Sequence, residues 1–225
     1  MSLTKEQRAS ETMSQKDKST KRVFDGVEVD LKNRAMAAFL AYLLPGAGHY
    51  YQGRKQKAIL FATCILSLFV VGFIIGRGRV VYAYPNTFKV TNLFRLLSKT
   101  GRAEIAKDST QDFRIHAYAQ ALVGIPAMPM ILQSRIGPKP VDQQFLWGFM
   151  APPPTGIPDD GTPYSAQDSY PWLSKWNNED SASFDLGSLY TAIAGLLNLL
   201  VIFDAYAGPM PVPIGQSKKK TDQGK

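Results

Sequence analysis

Apolar residues in this chain are gathered into four uncharged blocks, and the charges are pushed between them. The clearest block is 58–75, AILFATCILSLFVVGFII, eighteen positions without a charge. As a helix it is about 27 Å long, close to the hydrocarbon thickness of a bilayer. A soluble helix of that length carries a polar stripe; this one has only Thr63, Cys64 and Ser67 as mild interruptions. Residues 35–51 (AMAAFLAYLLPGAGHYY) form an earlier block, with Pro45 set to kink or end its regular part. A third, 115–132 (IHAYAQALVGIPAMPMIL), lacks formal charge but contains His116, Gln120, Pro126 and Pro129. The last, 186–203 (LGSLYTAIAGLLNLLVIF), is bounded by Asp185 and Asp204. The pattern predicts an all-α integral membrane protein with four transmembrane helices.

The stretches between the blocks complete the map. Residues 1–34 are polar and mostly disordered by composition, with VFDGVEVDL (23–31) as a short strand or an approach segment on the membrane surface. They lack the apolar run of a cleavable signal peptide. Residues 35–79 form a helical hairpin turning at 52–57, and 80–114 form a basic loop. Within 76–114, RVVYAY (79–84) reads as a short strand and NLFRLL (92–97) as part of an amphipathic helix at the membrane surface. Residues 133–185 hold eight of the 15 prolines and all three tryptophans and read as an ordered external loop between helices three and four. The fourth helix covers 186–204, and 205–225 form a flexible basic tail.

Charge adds a direction to this map. The chain carries 26 Lys/Arg against 18 Asp/Glu, for a net charge of +8. Cytoplasmic segments are enriched in Lys and Arg. With four helices and both termini in the cytoplasm, the cytoplasmic segments hold twenty of the 26 basic residues. The bend, with Arg54, Lys55 and Lys57, then lies outside. The expected location is the cell membrane. The basic run Arg77, Arg79, Lys89, Arg95, Lys99, Arg102 and Lys107 either fixes topology or binds anionic lipid. No nucleic-acid-binding module accompanies it. Trp147, Trp172 and Trp176, with Tyr164 and Tyr170, suit interfacial anchors or a sugar- or peptide-binding face.

The segment LLPGAGHYYQGRKQK (43–57) crowds Pro45, Gly46, Gly48, His49, Tyr51, Gly53 and Arg54 into one bend. Glycines permit a tight turn and close backbone approach. Tyrosines and basic residues suit the interface. A small polar site around His49, for a lipid headgroup, is the functional alternative. Over residues 35–79 the pattern resembles the small two-helix transmembrane hairpin domain, whose bend shows a Gly-x-Gly-x-His-x-x-Tyr-x-Gly-Arg-like run. Pro45, and the lack of an Asp-Arg-aromatic motif near the bend, depart from that pattern. Over most of its length, notably VGIPAMPMILQ and LYTAIAGLLNLLVIFDAYAGP, the chain resembles an uncharacterised family of bacterial multi-pass membrane proteins. The resemblance implies a membrane protein of unassigned role.

Polar residues inside a bilayer cost several kcal/mol unless paired. Matching depths predict that helices three and four touch through Gln120 and Asn198, with His116 near Asp204. Gly72 and Gly76, and Thr191 and Gly195, place small residues four apart, which favours helix packing within the chain or in a homo-oligomer. Two histidines and one cysteine make no metal set, and no cofactor or catalytic constellation assembles. The expected function is a non-catalytic scaffold or accessory subunit with a membrane-protein partner. The alternative is a small transporter or channel component using the polar residues of helices three and four. An enzyme acting on lipid is a third reading.

Overall fold

The structure is a computed structural model that describes residues 21–24, 27–30, 32–85, 87–89, 114–156, 158 and 171–208. The expectations for residues 1–20, for NLFRLL, for Arg95, Lys99, Arg102 and Lys107, for Tyr164 and Tyr170, and for the tail beyond 208 lie outside the described residues. A short antiparallel hairpin, β1 (Lys21–Phe24) and β2 (Val27–Asp30), precedes the helices. The helices are α1 (Arg34–Leu43), α2 (Ala47–Tyr51), α3 (Lys55–Ile75), α4 (Ile115–Ala121), α5 (Met128–Ile136) and α6 (Pro171–Ala207). A 3₁₀ turn, Ile125–Ala127, joins α4 to α5.

Among the described residues, two helices are long and apolar enough to cross a membrane: α3, with 21 residues, and α6, with 37. They run antiparallel and in register. At one end Arg54 and Lys57 reach Asp204; at the other, Gly72 and Gly76 lie against Gly187 and Thr191. A Cβ on Gly72 would stand 2.7 Å from the Tyr190 Cβ, and one on Gly187 would stand 2.7 Å from the Gly76 nitrogen. The small residues therefore serve packing inside this chain. α6 bends at Asp180 (φ −142°, ψ 33°), before its apolar part begins.

The expected first and third membrane helices are each broken into two short pieces, so four continuous spans do not form. In the first, Asn33 caps α1 by accepting from the Met36 amide at 3.2 Å. α1 stops after ten residues, about 15 Å, because Pro45 disfavours helical backbone in the residue before it. Gly46 then takes a left-handed turn (φ +85°) that residues with a Cβ rarely adopt. α2 folds back along α1, so that Gly48 lies on the Ala37 carbonyl. By Tyr51 the chain has returned to its starting level, where Lys32 Nζ donates to the Tyr51 carbonyl at 2.8 Å. Gly53 (φ +81°) turns it again into α3. The bend is therefore two turns at two depths, separated by the short α2.

The second broken segment starts at the opposite end. Arg114 lies beside Ser188, and α4 descends along α6 until Gly124 (φ +85°, ψ −131°) breaks it. α5, opened by Pro129, climbs back, and Gly137 lies against Pro85 at the level where the segment began. The two tips meet. Gly124 rests on the carbonyls of Tyr42 and Leu43 with no room for a Cβ. The two segments enter from opposite ends of the α3–α6 pair and touch midway between them.

Residues Val80–Tyr84, expected as a strand, form none. They are irregular and fully buried, packed among α4 and α6, because Gln120 Nε2 takes the Val80 carbonyl at 3.0 Å and Thr87 Oγ1 takes the Tyr84 amide at 3.1 Å. Trp147, in a 3₁₀ turn, is 98% exposed and stands clear of the fold, whereas Trp176 stacks edge-on against Tyr82.

Gly195 lies directly on the Ala119 carbonyl of α4. Gly195→Ala is expected to lower stability in detergent by about 1–3 kcal/mol through overpacking. Cys64→Ala, on the outward face of α3, is expected to leave it nearly unchanged. Thermal melting of the two variants checks both expectations.

Candidate functional site

The polar side chains of the interior form a ladder along the buried side of α6. At the top, Arg114 Nη2 donates to Ser188 Oγ at 2.9 Å. Its guanidinium lies 3.9 Å from the Tyr82 ring centre and 5.5 Å from that of Phe184. One turn below, Gln120 Nε2 donates to Thr191 Oγ1 at 2.8 Å, and Thr191 donates back to its own helix at the Gly187 carbonyl. Two turns further, Asn198 Nδ2 donates to the Leu122 carbonyl at 2.8 Å and to the Ala41 carbonyl at 3.2 Å. At the bottom, Asp204 Oδ2 accepts from His49 Nε2 at 2.7 Å and from Arg54 Nη2 at 3.0 Å, with Lys57 Nζ 3.8 Å away. Gln52 Nε2 donates to the Ala205 carbonyl beside it at 2.7 Å.

Each rung has a structural cause. A helix leaves its last carbonyls without partners. Both α1 and α4 end midway along the α3–α6 pair, buried in the fold, so a side chain must supply what the next turn of helix would have supplied. Asn198 supplies it to both, with the two protons of one amide. His49 faces Asp204 because Gly46 and Gly48 let α2 fold tightly onto α1 and α3. Its ring packs edge-on against Phe61, with centroids 5.0 Å apart, and is wholly buried.

The predicted pairings change partners. Gln120 and Asn198 do not bond to each other: they lie at different levels, Asn198 takes carbonyls at the two breaks, and Gln120 takes the Val80 carbonyl and Thr191 Oγ1. His116 does not approach Asp204; its charged neighbours are Arg114 and Asp185, at the opposite end. The reason is the break at Pro45–Gly46: the first segment returns to its starting end, α3 then runs to the far end, and α4 begins there beside Ser188 instead of beside Asp204. His49 takes the place assigned to His116. Of the predicted bend residues, His49 and Arg54 touch Asp204, Tyr51 takes the Lys32 contact, and Gly46 lies against the Ala58 carbonyl. Three hydrogen-bonding participants escaped sequence reasoning: Arg114, Ser188 and Gln52. The signal for Arg114 was its position as the last charge before an apolar block.

Two long apolar helices enclosing two short broken segments define a helical protein of membrane type. The chain belongs to DUF6677, a family of unknown function, whose profile matches residues 36–218. That match accords with the resemblance to an uncharacterised family; the comparison shows no hairpin-domain family. No curated protein and no solved structure matches the chain significantly.

Asn198→Leu removes the donor that two buried carbonyls share, and is expected to lower stability by about 1–3 kcal/mol. Asn198→Gln, which keeps the amide, is expected to recover part of that loss. Melting temperatures of the purified variants in one detergent measure both.

Proposed function

We propose that the protein is a small transport or channel component of the cell membrane, with α3 and α6 crossing the bilayer and the two broken segments re-entering from opposite faces. One observation carries this reading: two interrupted segments enter from opposite ends and meet at mid-depth on a polar side chain. Irregular backbone at membrane depth is tolerated where protein buries it or where it lines a cavity. Paired, Gly/Pro-interrupted segments in corresponding halves mark substrate sites in transporters. A scaffold could span with two plain helices and has no need of either break.

A two-crossing threading also suits the charges. In this threading segments 1–34, 52–57 and 204–225 fall on one side and carry fifteen Lys/Arg against eight acids, while the rest carries eleven against ten. By the positive-inside tendency that face is cytoplasmic. Both termini remain inside, and the bend joins them. Lys55 and Lys57 there suit contact with anionic lipid of the inner leaflet. Eleven basic residues then stand outside, against six with four crossings.

The second reading is a non-catalytic scaffold or accessory subunit. The close contact of Gly124 with the Tyr42 and Leu43 carbonyls favours it, since it leaves no opening between the tips. Flux of water, K⁺ and protons into liposomes holding the full chain separates the two: movement above protein-free vesicles supports transport. A tight lipid bilayer with no movement, together with a stable complex with another membrane protein on co-purification, supports the scaffold.

Threading is tested with single cysteines at Lys55, Ser165 and Ser217 in a Cys64→Ser background. An impermeant thiol reagent is expected to label 165 from outside intact cells, and 55 and 217 only after the membrane is opened. Labelling of 55 together with 165 would restore the four-crossing arrangement.

A further inference from the structure

Phe145–Gly148 form a 3₁₀ turn with an uncommon backbone. Leu146 (φ 49°, ψ 40°) and Trp147 (φ 52°, ψ 31°) are both left-handed. Residues with a Cβ rarely adopt that conformation, and then singly rather than in succession. Such backbone persists only where its surroundings hold it. Here Gln133, buried in α5, holds it: Nε2 donates to the Phe145 carbonyl at 2.6 Å and to the Phe149 carbonyl at 3.3 Å. The Phe149 amide closes the turn on the Leu146 carbonyl at 3.0 Å. The clamp grips both ends of the turn and leaves its tip out. Trp147 is 98% exposed, and Phe145, Leu146 and Phe149 are exposed beside it. A buried polar side chain is thus spent on holding an apolar tip away from the fold.

The level of this tip is set by Phe149. Its ring packs edge-on against Phe73, with centroids 5.5 Å apart. Phe73 lies in the last turn of α3, which ends at Ile75. With α3 crossing the bilayer, that turn is where hydrocarbon gives way to headgroups, at the end opposite Asp204. The apolar surface around it is exposed as well: Ile74 follows Phe73 on α3, and Leu132 precedes Gln133 on α5. From Gln143 to Pro158 the chain carries no charge, so nothing in the tip resists partial burial in lipid. An indole suits that boundary, with an apolar body for the acyl chains and an N–H for the polar layer.

We propose that the 145–149 turn inserts into the headgroup–acyl boundary of the leaflet opposite Asp204, with the Trp147 indole as its anchor. The occupant of this surface is phospholipid of the membrane that α3 crosses. Through Gln133 the anchor fixes the depth of α5, the returning leg of the second broken segment, and interfacial anchors of this kind set how a helical protein sits in its bilayer. The inference rests on the crossing of α3 and not on transport.

The test is fluorescence of the full chain in phosphatidylcholine vesicles, with bromine placed either high on the acyl chains, just below the headgroups, or near the chain ends. Trp147 emission is read as the difference between wild type and Trp147→Phe, a change at an almost fully exposed position. It is expected to lie to the blue of tryptophan in water, to lose most of its intensity to the shallow bromines and less to the deep ones, and to resist aqueous iodide. Emission as in water, quenched by iodide and untouched by bromine, would overturn the anchor. Blue-shifted emission that neither quencher reaches would also overturn it, marking Trp147 as covered by protein. Quenching strongest with the deep bromines would overturn the boundary position. Cys64→Trp, midway along α3 on its outward face, keeps the crossing separate. Its added emission is expected to be quenched best by the deep bromines. If Cys64→Trp responds so and Trp147 escapes bromine, the anchor falls and the crossing stands. If Cys64→Trp itself escapes bromine, the crossing falls and the anchor with it.

Discussion

A chain that stops being helical in the middle of a bilayer must find partners for the backbone groups it frees. Lipid offers none, and each unmet group costs several kcal/mol. This protein breaks two helical segments midway along the α3–α6 pair, at Pro45–Gly46 and at Gly124, and answers both breaks with Asn198. The amide is in the apolar heart of α6, yet it is wholly buried and donates to one carbonyl from each broken segment. The rest of the arrangement follows from that contact. The tips must lie within reach of one residue, so the segments must enter from opposite ends and be of similar length.

Close approach is set by small residues. Gly72, Gly76, Gly187 and Gly195 bring α3, α4 and α6 within backbone contact, and Ala37, Ala41 and Ala205 do the same for α1. Packing of this kind replaces the hydrophobic drive that lipid removes. It also explains why the outward surface is lined with exposed Ile59, Leu60, Val70, Ile74, Leu199 and Leu200. In a bilayer these face acyl chains.

The two halves of the chain share a plan: a short helix in, a Gly/Pro break, a short helix out, then a long crossing helix. The halves run in opposite senses, and the second carries an additional stretch, 137–170, before its crossing helix. Charged contacts then pin the ends. His49 and Arg54 hold Asp204 at one face, while Arg77 and Arg79 pair with Asp180 and Glu179 at 3.0 Å at the other. The polar ladder lies between these two clamps.

The sequence by itself determined what composition and spacing determine. The uncharged block 58–75 had to be a bilayer-length helix, as did most of 186–203, because no stripe exists to solvate either one. The small residues four apart had to pack, and Pro45 with Gly46 had to interrupt the first block. What the breaks did to the path was decided only by tertiary structure. A proline or glycine can kink a helix and let it run on, or turn the chain back; the choice depends on whether the return leg finds a surface. Here Ala37 leaves room for Gly48, and Pro85 receives Gly137, so both segments return. That reversal moved His116 away from Asp204, brought His49 there instead, and gave Asn198 two backbone partners in place of Gln120. Pairing by depth assumes straight helices, and it fails at residues beyond a turn whose direction local sequence does not encode.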